Sequence, residues 1–482
     1  MKKLFYFLLI ATLLLSIPTM LVSCDDLFSE ETTTADPSTT TEEPKVEGAL
    51  AFTLNDDGES YSVAIGTYTG LNIEIPSEYE GKPVTAIANN AFKGCKTIKS
   101  VVIPDTVKSI GSYAFGNCEA LTSVIVPDSV ESIARHAFYE CDSLQSITLP
   151  FVGGSKDDAE NGHFGYVFGA KNFSMNKTFI PETLNTVVIT GGSTISKNAF
   201  YRCEYITSVA IPESVTSIGA SAFNECVALK SIYITDLAKW CNINFETFNN
   251  EPLFPAYDLY LNGELVKELV IPDSITSIKS YTFYNCNSLT SVVIPEHVTS
   301  IGLGAFQGCS NIKSMALTFV GETKDGTENT HLGYIFGAET ADYTKHFISE
   351  SLTDIIITGS ADIPHNAFEN CGCLKTIMIL GDVKNIGEKA FYYCYNLTNV
   401  VIPATVTNIG NDASYGAAGI YNVYYLGSAS TWANITIGTQ NENLAEDDDT
   451  KIYYYSEEEP TAEGNYWHFV EGVPTVWEAA EN

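Results

Sequence analysis

A five-residue pattern, Ala-Phe-x-x-Cys, recurs along this chain and constrains its fold more than any other feature. It occurs nine times, once with Thr in the first position, and five of the eight intervals between neighbouring copies have the same length. Such self-similarity predicts a repeat architecture in which each unit packs only against its neighbours. The repeated cysteines are Cys95, Cys118, Cys141, Cys203, Cys226, Cys286, Cys309, Cys371 and Cys394.

The longer unit has a physical interpretation as one turn of a solenoid, which we call a rung. Leu121 to Val126 is a short apolar run ended by Pro127, which lacks the N–H needed to extend strand pairing. Phe115 and Cys118 are expected to point inward from a short convex segment, for which a helix is one possibility. Glycines that follow the Val-x-x-Ile part of the unit are expected in tight turns; they are Gly111, Gly219, Gly302 and Gly387.

The nine units, with the Ile-Pro that follows each strand, resemble the BspA-like class of bacterial leucine-rich repeats. The resemblance covers about Ala49 to Ile409. It implies a leucine-rich-repeat solenoid with one β-strand and one short convex segment per 23-residue rung, closed by β-rich caps at both ends. It also implies display on a bacterial surface, attachment to host matrix proteins or to other bacteria, and no enzymatic activity.

The start of the chain predicts export. Lys2 and Lys3 precede an apolar run that ends Leu21-Val22-Ser23-Cys24, as in a secretory signal peptide. The last four residues resemble the bacterial lipobox, which implies that Cys24 carries a lipid; an uncleaved membrane anchor is the alternative. We therefore expect a protein tethered to the membrane by lipid at the extracellular face of the cell envelope.

The same features predict a domain organisation. The Thr-rich and acidic segment after Cys24 cannot form a core and predicts a flexible stalk. Three segments interrupt the repeat, and the end of the chain is rich in Tyr and Trp. The predicted parts are a signal peptide (1–23), the stalk (24–48), an N-terminal β cap (49–87), the solenoid (88–422) with inserts near 151–180, 236–262 and 319–348, and an aromatic C-terminal cap (423–482).

Composition and motifs favour binding over catalysis. The formal net charge is −34, which argues against nucleic acid as a partner because that requires a basic surface. Hydrolase, metalloprotease and nucleotide-binding motifs are absent from the sequence, so we assign no catalytic residue, cofactor or metal. His163 and His331 occupy equivalent positions in the two copies of a duplicated block of rungs, within GHFGY and THLGY. No accompanying ligand pattern recurs, and we expect structural or solvent-exposed roles for both.

The repeated cysteines allow two interpretations. Neighbouring strands lie about 4.8 Å apart, close enough for disulfides between rungs, but parallel side chains give poor bridging geometry. A column of buried, reduced thiols is therefore our prediction. Cys241 and Cys373 lie outside this register. The aromatic C-terminal region is also open to two interpretations, a structural cap or a small carbohydrate-binding module.

The strand face is the candidate binding surface. Residues that alternate with the inward apolar positions should face solvent, yet most are apolar, and several lysines precede them. An extended apolar stripe beside positive charge can mark an interaction site, although β propensity alone also favours Val and Ile on strands. We expect a monomer that binds an extracellular protein or glycan, as an adhesin or as a nutrient-capture lipoprotein. The candidate residues are Lys99, Val102, Ile125, Lys230, Tyr233, Lys267, Val270, Val293, Lys313, Ile356, Lys375, Met378 and Val401.

Overall fold

Alternating burial along each short apolar run produces a strand with one inward and one outward face. Val124 and Val126 are buried while Ile125 between them points outward, as expected for a strand with a period of two residues. The amide of Val126 donates to the carbonyl oxygen of Thr148 over 3.0 Å. Ser123 pairs in parallel with Ser146, its equivalent in the next rung. Equivalent residues of neighbouring rungs therefore pair with each other, and the repeat sets the register of the sheet.

The structure, a computed structural model, describes residues 48–158, 160–247, 254–444, 450–461 and 463–477. The predicted signal peptide, Cys24 and nearly all of the predicted stalk lie outside these residues. The chain divides into two compact units between Leu265 and Val266. Both are built from leucine-rich-repeat solenoid rungs, as the sequence predicts. Across the described ranges, no helix combines the length and apolarity that a membrane crossing needs.

The first strands of successive rungs form the main sheets. Their pairing is parallel except at the closing hairpins of each unit. In the N-terminal unit these strands are Asn72–Glu74, Ser100–Val102, Ser123–Ile125, Ser146–Leu149, Thr186–Ile189, Ser208–Ala210, Ser231–Ile234, Asp258–Leu261 and Glu264–Leu265. In the C-terminal unit they are Glu268–Val270, Ser291–Val293, Ser314–Leu317, Asp354–Ile357, Thr376–Ile379, Asn399–Ile402, Asn422–Tyr425, Lys451–Tyr455, Tyr466–Val470 and Val473–Val476.

A second, shorter strand follows in most rungs, where the sequence predicts only inward-pointing residues. Ser132–Ile133, for example, pairs in parallel with Ser109–Ile110. In the N-terminal unit the strands on this side are Ala51–Leu54, Tyr61–Ala64, Glu78–Tyr79, Lys82–Ile87, Ser109–Ile110, Ser132–Ile133, Thr194–Ile195, Ser217–Ile218 and Asn244–Phe245. In the C-terminal unit they are Ser277–Ile278, Ser300–Ile301, Asn385–Ile386, Asn408–Ile409 and Thr436–Ile437.

The convex segment consists of turns, so a helix is the wrong alternative for this part of the repeat. In the rung of Phe115, Tyr113 and Asn117 have positive φ angles of 54° and 59°, which a right-handed helix excludes. The amide of Phe115 donates to the carbonyl oxygen of Ala137 in the next rung over 2.8 Å. The Phe115 ring stacks on Phe92 and on Phe138, with 5.4 Å between centroids in both pairs. Contacts between rungs thus replace contacts within a helix.

The repeated glycine has a different role from the one predicted. Gly111 does not have a positive φ, so it is not required for a left-handed turn. A Cβ atom at Gly111 would lie 2.6 Å from the amide nitrogen of Asn89 in the preceding rung. The equivalent Gly302 would place its Cβ 2.3 Å from the nitrogen of Ser280. Glycine is needed here because neighbouring rungs approach each other backbone to backbone.

The predicted insert near 151–180 completes a rung instead of interrupting the stack. Its 3-10 helix Phe164–Phe168 takes the place of the convex turns. Phe138 donates its amide to the carbonyl oxygen of Val167 over 2.9 Å, and Phe164 donates to that of Ala199 over 2.8 Å. The remaining helices are also short: Phe173–Met175, Asn176–Phe179, Leu237–Cys241, Leu332–Phe336, Ala341–His346, Ala429–Trp432 and Glu442–Leu444.

The repeated cysteines form the predicted column of free thiols. All eleven described cysteines are free, and nine of them are buried. The thiol of Cys141 donates to the carbonyl oxygen of Phe115 in the preceding rung over 3.1 Å, and that of Cys309 donates to Phe283 over 3.0 Å. Burial raises the pKa of Cys141 to about 12. The thiols are therefore protonated, hydrogen-bonded and poorly nucleophilic.

We expect a brief pulse of N-ethylmaleimide on the native protein to label Cys95 and Cys373, which are half-buried, well before the other nine described cysteines. The thiolate is the reactive form, and both burial and a raised pKa suppress it. Peptide mass spectrometry after the pulse measures the labelling, with guanidinium-unfolded protein as the control for full reaction. Disulfides between equivalent cysteines of neighbouring rungs would contradict the prediction.

Candidate functional site

The outward residues of the main sheet in the N-terminal unit form an open apolar stripe. Val102 is 59% exposed and Ile125 is 66% exposed, although both belong to strands whose neighbouring positions are buried. Further along this sheet Val188, Ala210 and Tyr233 pair side by side and are half-buried. The predicted solvated stripe therefore exists in this unit, and it is more exposed at Val102 and Ile125 than at Val188, Ala210 and Tyr233.

A groove of about 500 Å³ lies on this face where the stripe contains a small residue. Ala210 forms a low point between Val188 and Tyr233, because its side chain is a single methyl group. The Tyr233 ring is held by stacking on Tyr260, with centroids 4.7 Å apart and planes within 20°. Polar groups border the apolar floor; they belong to Thr186, Thr190, Ser208, Glu213, Thr235 and Asn262. We call this the strand-face groove.

The predicted lysines are all exposed and precede the strands. Lys99 and Lys230 belong to the N-terminal unit, and Lys267, Lys313 and Lys375 to the C-terminal unit. Within the described ranges, none of these five ammonium groups forms an ion pair with a carboxylate. Lys230 precedes the strand Ser231–Ile234 that carries Tyr233, but it does not line the groove, whose charged lining residue is Glu213.

The strand face of the C-terminal unit is different, and here the prediction of a solvated stripe is wrong. Val401 is 0% exposed, and Met378 is also buried. They form a hydrophobic cluster with Tyr424 and Trp467, and Ile356 packs against this cluster. Elsewhere on this face Val270 is exposed, while Val293 and Ile356 are half-buried.

The C-terminal aromatic residues explain this burial. Tyr424 stacks on Tyr453, with 5.5 Å between ring centroids. Trp467 lies 5.2 Å from the Tyr424 ring, and its indole N–H donates to the carbonyl oxygen of Tyr425 over 3.0 Å. Buried rings that satisfy their own polar atoms are packing elements. This arrangement favours a structural cap over an aromatic carbohydrate-binding module.

The two equivalent histidines are packed into their enlarged rungs. His163 and His331 are both buried at the start of a 3-10 helix. A ring nitrogen of His163 lies 3.3 Å from the carbonyl oxygen of Ala170. Burial lowers the pKa of each imidazole, so both are neutral at physiological pH. Across the described residues, no group of three or more His, Cys, Asp or Glu side chains is placed to hold a metal ion.

Comparison with known proteins identifies the repeat. The chain matches the family described as BspA type leucine rich repeat region, in six copies, over residues 85–180, 172–254, 257–325 and 343–435. No curated protein matches the chain significantly.

Several solved structures are similar to the chain. A leucine rich cell surface protein of Faecalibacterium prausnitzii is 25% identical, with 82% of this chain and 98% of that chain covered and a TM-score of 0.25. A leucine-rich repeat protein of Bacteroides ovatus is 23% identical, with 86% and 99% covered and a TM-score of 0.33. A leucine rich repeat protein of T. pallidum is 23% identical, with 55% and 87% covered and a TM-score of 0.24. With these TM-scores, the family assignment rests on the repeat match.

Charge substitutions at equivalent positions of the two strand faces should differ in how much they destabilise the fold. Ile125→Asp should change the free energy of unfolding by less than about 1 kcal/mol, because the side chain is already in water. Val401→Asp should cost about 3 kcal/mol or more, because it places a carboxylate in an apolar cluster. Urea unfolding followed by circular dichroism measures both, and equal losses in the two variants would contradict the assigned burial.

Proposed function

Because the chain belongs to the BspA type leucine-rich-repeat family, we propose that it is a lipid-anchored binding protein on the extracellular face of the cell envelope. Its role is adhesion, or contact with a protein of a host or a neighbouring cell. The observation that carries this proposal is the strand-face groove. A repeat scaffold presents such a surface without supplying catalytic groups, and the proposed role is therefore recognition.

The composition of the groove supports a protein ligand. An apolar centre with a polar border is the usual anatomy of a protein interface. The floor at Val188 and Ala210 provides area for hydrophobic contact, while Thr190 and Asn262 at the border can exchange hydrogen bonds with a polypeptide. A volume of about 500 Å³ accommodates a few side chains of an extended segment. The Tyr233 ring, held by Tyr260, provides a rigid aromatic contact of the kind that contributes strongly to binding.

One observation favours a second candidate, the capture of carbohydrate. The Tyr233 ring lines the groove and is fixed in orientation by its stacked neighbour, so it can pack against the apolar face of a sugar. The polar border would then bond to sugar hydroxyls. The same groove serves both candidates, and a panel that contains matrix proteins and glycans separates them.

We expect Ala210→Trp to fill the strand-face groove and to reduce partner binding at least about tenfold, which corresponds to the loss of ~1.4 kcal/mol of contact energy. The control is Val227→Trp, which adds the same side chain at a residue exposed on a turn of the same unit. Binding of each purified variant to immobilised host matrix proteins and to a glycan array is measured together with its thermal unfolding. If Ala210→Trp binds like the unsubstituted protein, the partner does not use the groove.

The proposed anchor depends on one thiol. Cys24→Ala should abolish lipid attachment and block lipoprotein-type cleavage, so that the apolar N-terminal segment remains on the chain. Metabolic labelling with a fatty acid and intact-mass analysis of the mature N-terminus provide the measurement, and Cys373→Ala serves as the control for loss of an unrelated cysteine. A labelled protein with a mature N-terminus other than Cys24 would contradict the assignment.

A further inference from the structure

Four tyrosines cluster on the turn side of the C-terminal unit, away from the main-sheet strands that form the strand face. Tyr392, Tyr393 and Tyr395 belong to the ninth repeat, and Tyr415 occupies the position of Tyr392 in the next rung. Tyr395 is 60% exposed and Tyr415 is 40% exposed. We call these four residues the tyrosine platform. They form a contiguous aromatic surface in contact with solvent.

The rings are held in place by one another. Tyr392 stacks on Tyr415 at 5.4 Å with planes 19° apart, and Tyr393 stacks on Tyr395 at 5.4 Å with planes 18° apart. Tyr392 and Tyr393 join the two pairs at 4.3 Å. A flat ligand fits between two rings only if the rings are separated by about twice the van der Waals contact distance of ~3.5 Å. The stacked pairs are therefore closed, and the outer ring faces remain available.

The fold does not require these tyrosines. The repeat fixes Ala, Phe and Cys, while the two residues between Phe and Cys and the residue after Cys vary among the nine copies. Only the copy at 390–395 has an aromatic residue at all three variable positions. In the earlier copy of the duplicated block, the equivalents are Asn224, Glu225 and Val227. The platform is thus specific to one rung, whereas packing residues recur in all of them.

The neighbouring backbone makes room for the platform. A Cβ atom at Gly416 would lie 2.2 Å from the ring of Tyr393. Gly416 stands where the preceding rung has Tyr393 itself. The absence of a side chain at Gly416 lets the Tyr393 ring lie flat against the next rung.

The electrostatics of the platform favour a cation. Aromatic faces attract ammonium and guanidinium groups, and the protein already uses this contact: the Lys389 ammonium lies 5.3 Å from the Tyr392 ring centroid. A hydrogen bond between the phenols raises the pKa of Tyr392 to about 12, so the rings remain neutral. The carboxyl groups of Glu369 and Asp412 lie near Lys389 and Tyr392 respectively. The net charge of −34 adds a general attraction for basic partners.

We propose that the tyrosine platform is a second interaction surface, which binds an arginine- or lysine-bearing segment of a basic partner protein. The cationic side chains lie on the outer faces of Tyr395 and Tyr415. Arginine is preferred because its planar guanidinium stacks on an aromatic ring as well as carrying charge. This surface is independent of the strand-face groove, since no residue is shared between them.

The test measures binding of fluorescein-labelled nona-arginine and nona-lysine peptides to the purified protein by fluorescence anisotropy at several salt concentrations. Each exposed cation–π contact contributes a factor of about two to five in affinity, so the double variant Tyr395→Ala, Tyr415→Ala should lose about fivefold or more. The double variant Tyr395→Phe, Tyr415→Phe keeps the ring faces and should bind within about twofold of the unsubstituted protein. Tyr343→Ala is the control, since Tyr343 is equally exposed in the same unit and lies outside the platform.

The proposal predicts that the alanine pair alone loses affinity and that nona-arginine binds more tightly than nona-lysine. Equal affinity of the alanine pair and the Tyr343→Ala control would show that the peptides respond only to net charge, and would overturn it. Loss of glycan binding without loss of peptide binding in the alanine pair would also overturn it, in favour of a sugar site. Ala210→Trp should bind these peptides normally, which keeps this test distinct from that of the groove.

Discussion

Successive rungs are joined by backbone hydrogen bonds that hold equivalent residues side by side, and the other features of this protein depend on that in-register pairing. Because Ser123 faces Ser146 and Phe115 donates to Ala137, a side chain at one repeat position always meets the same position of the next rung. Identical residues therefore form columns: phenylalanine rings stack on one another, and thiols reach carbonyl oxygens of the preceding rung. A column is stable only if its residue tolerates its own copy as a neighbour, which explains why the sequence repeats so strictly at these positions.

Periodicity predicts the parts of the fold that repeat. The main strands, the inward Phe and the column of reduced thiols follow from the spacing and polarity of the unit. The second, shorter strand of each rung could not be predicted in the same way. A strand such as Ser132–Ile133 has only two residues, which is too few to show an alternating pattern. The reason for glycine at Gly111 also depends on the distance to another rung, which no local turn preference reveals.

The candidate site likewise combines features that the repeat predicts with features that depend on residues far apart in the sequence. The outward stripe at Val102, Ile125 and Tyr233 could be predicted from alternation along each strand. The groove itself depends on one small residue, Ala210, between two larger ones. The burial of Val401 depends on aromatic residues far along the chain that pack over its strand face. Exposure on a repeat scaffold is therefore decided by the ends of the stack as well as by the repeat, and the same outward position is surface in one unit and core in the other.

The thiol column has a consequence for how such a chain reaches its folded state. Five of the nine buried sulfurs donate a hydrogen bond to a phenylalanine carbonyl of the preceding rung, a role that requires the reduced form; they are those of Cys118, Cys141, Cys226, Cys309 and Cys394. Many exported proteins depend on an oxidising compartment to form their cross-links. The described repeat rungs contain no disulfide, so their folding needs no thiol oxidase and no isomerase to correct mispaired bridges.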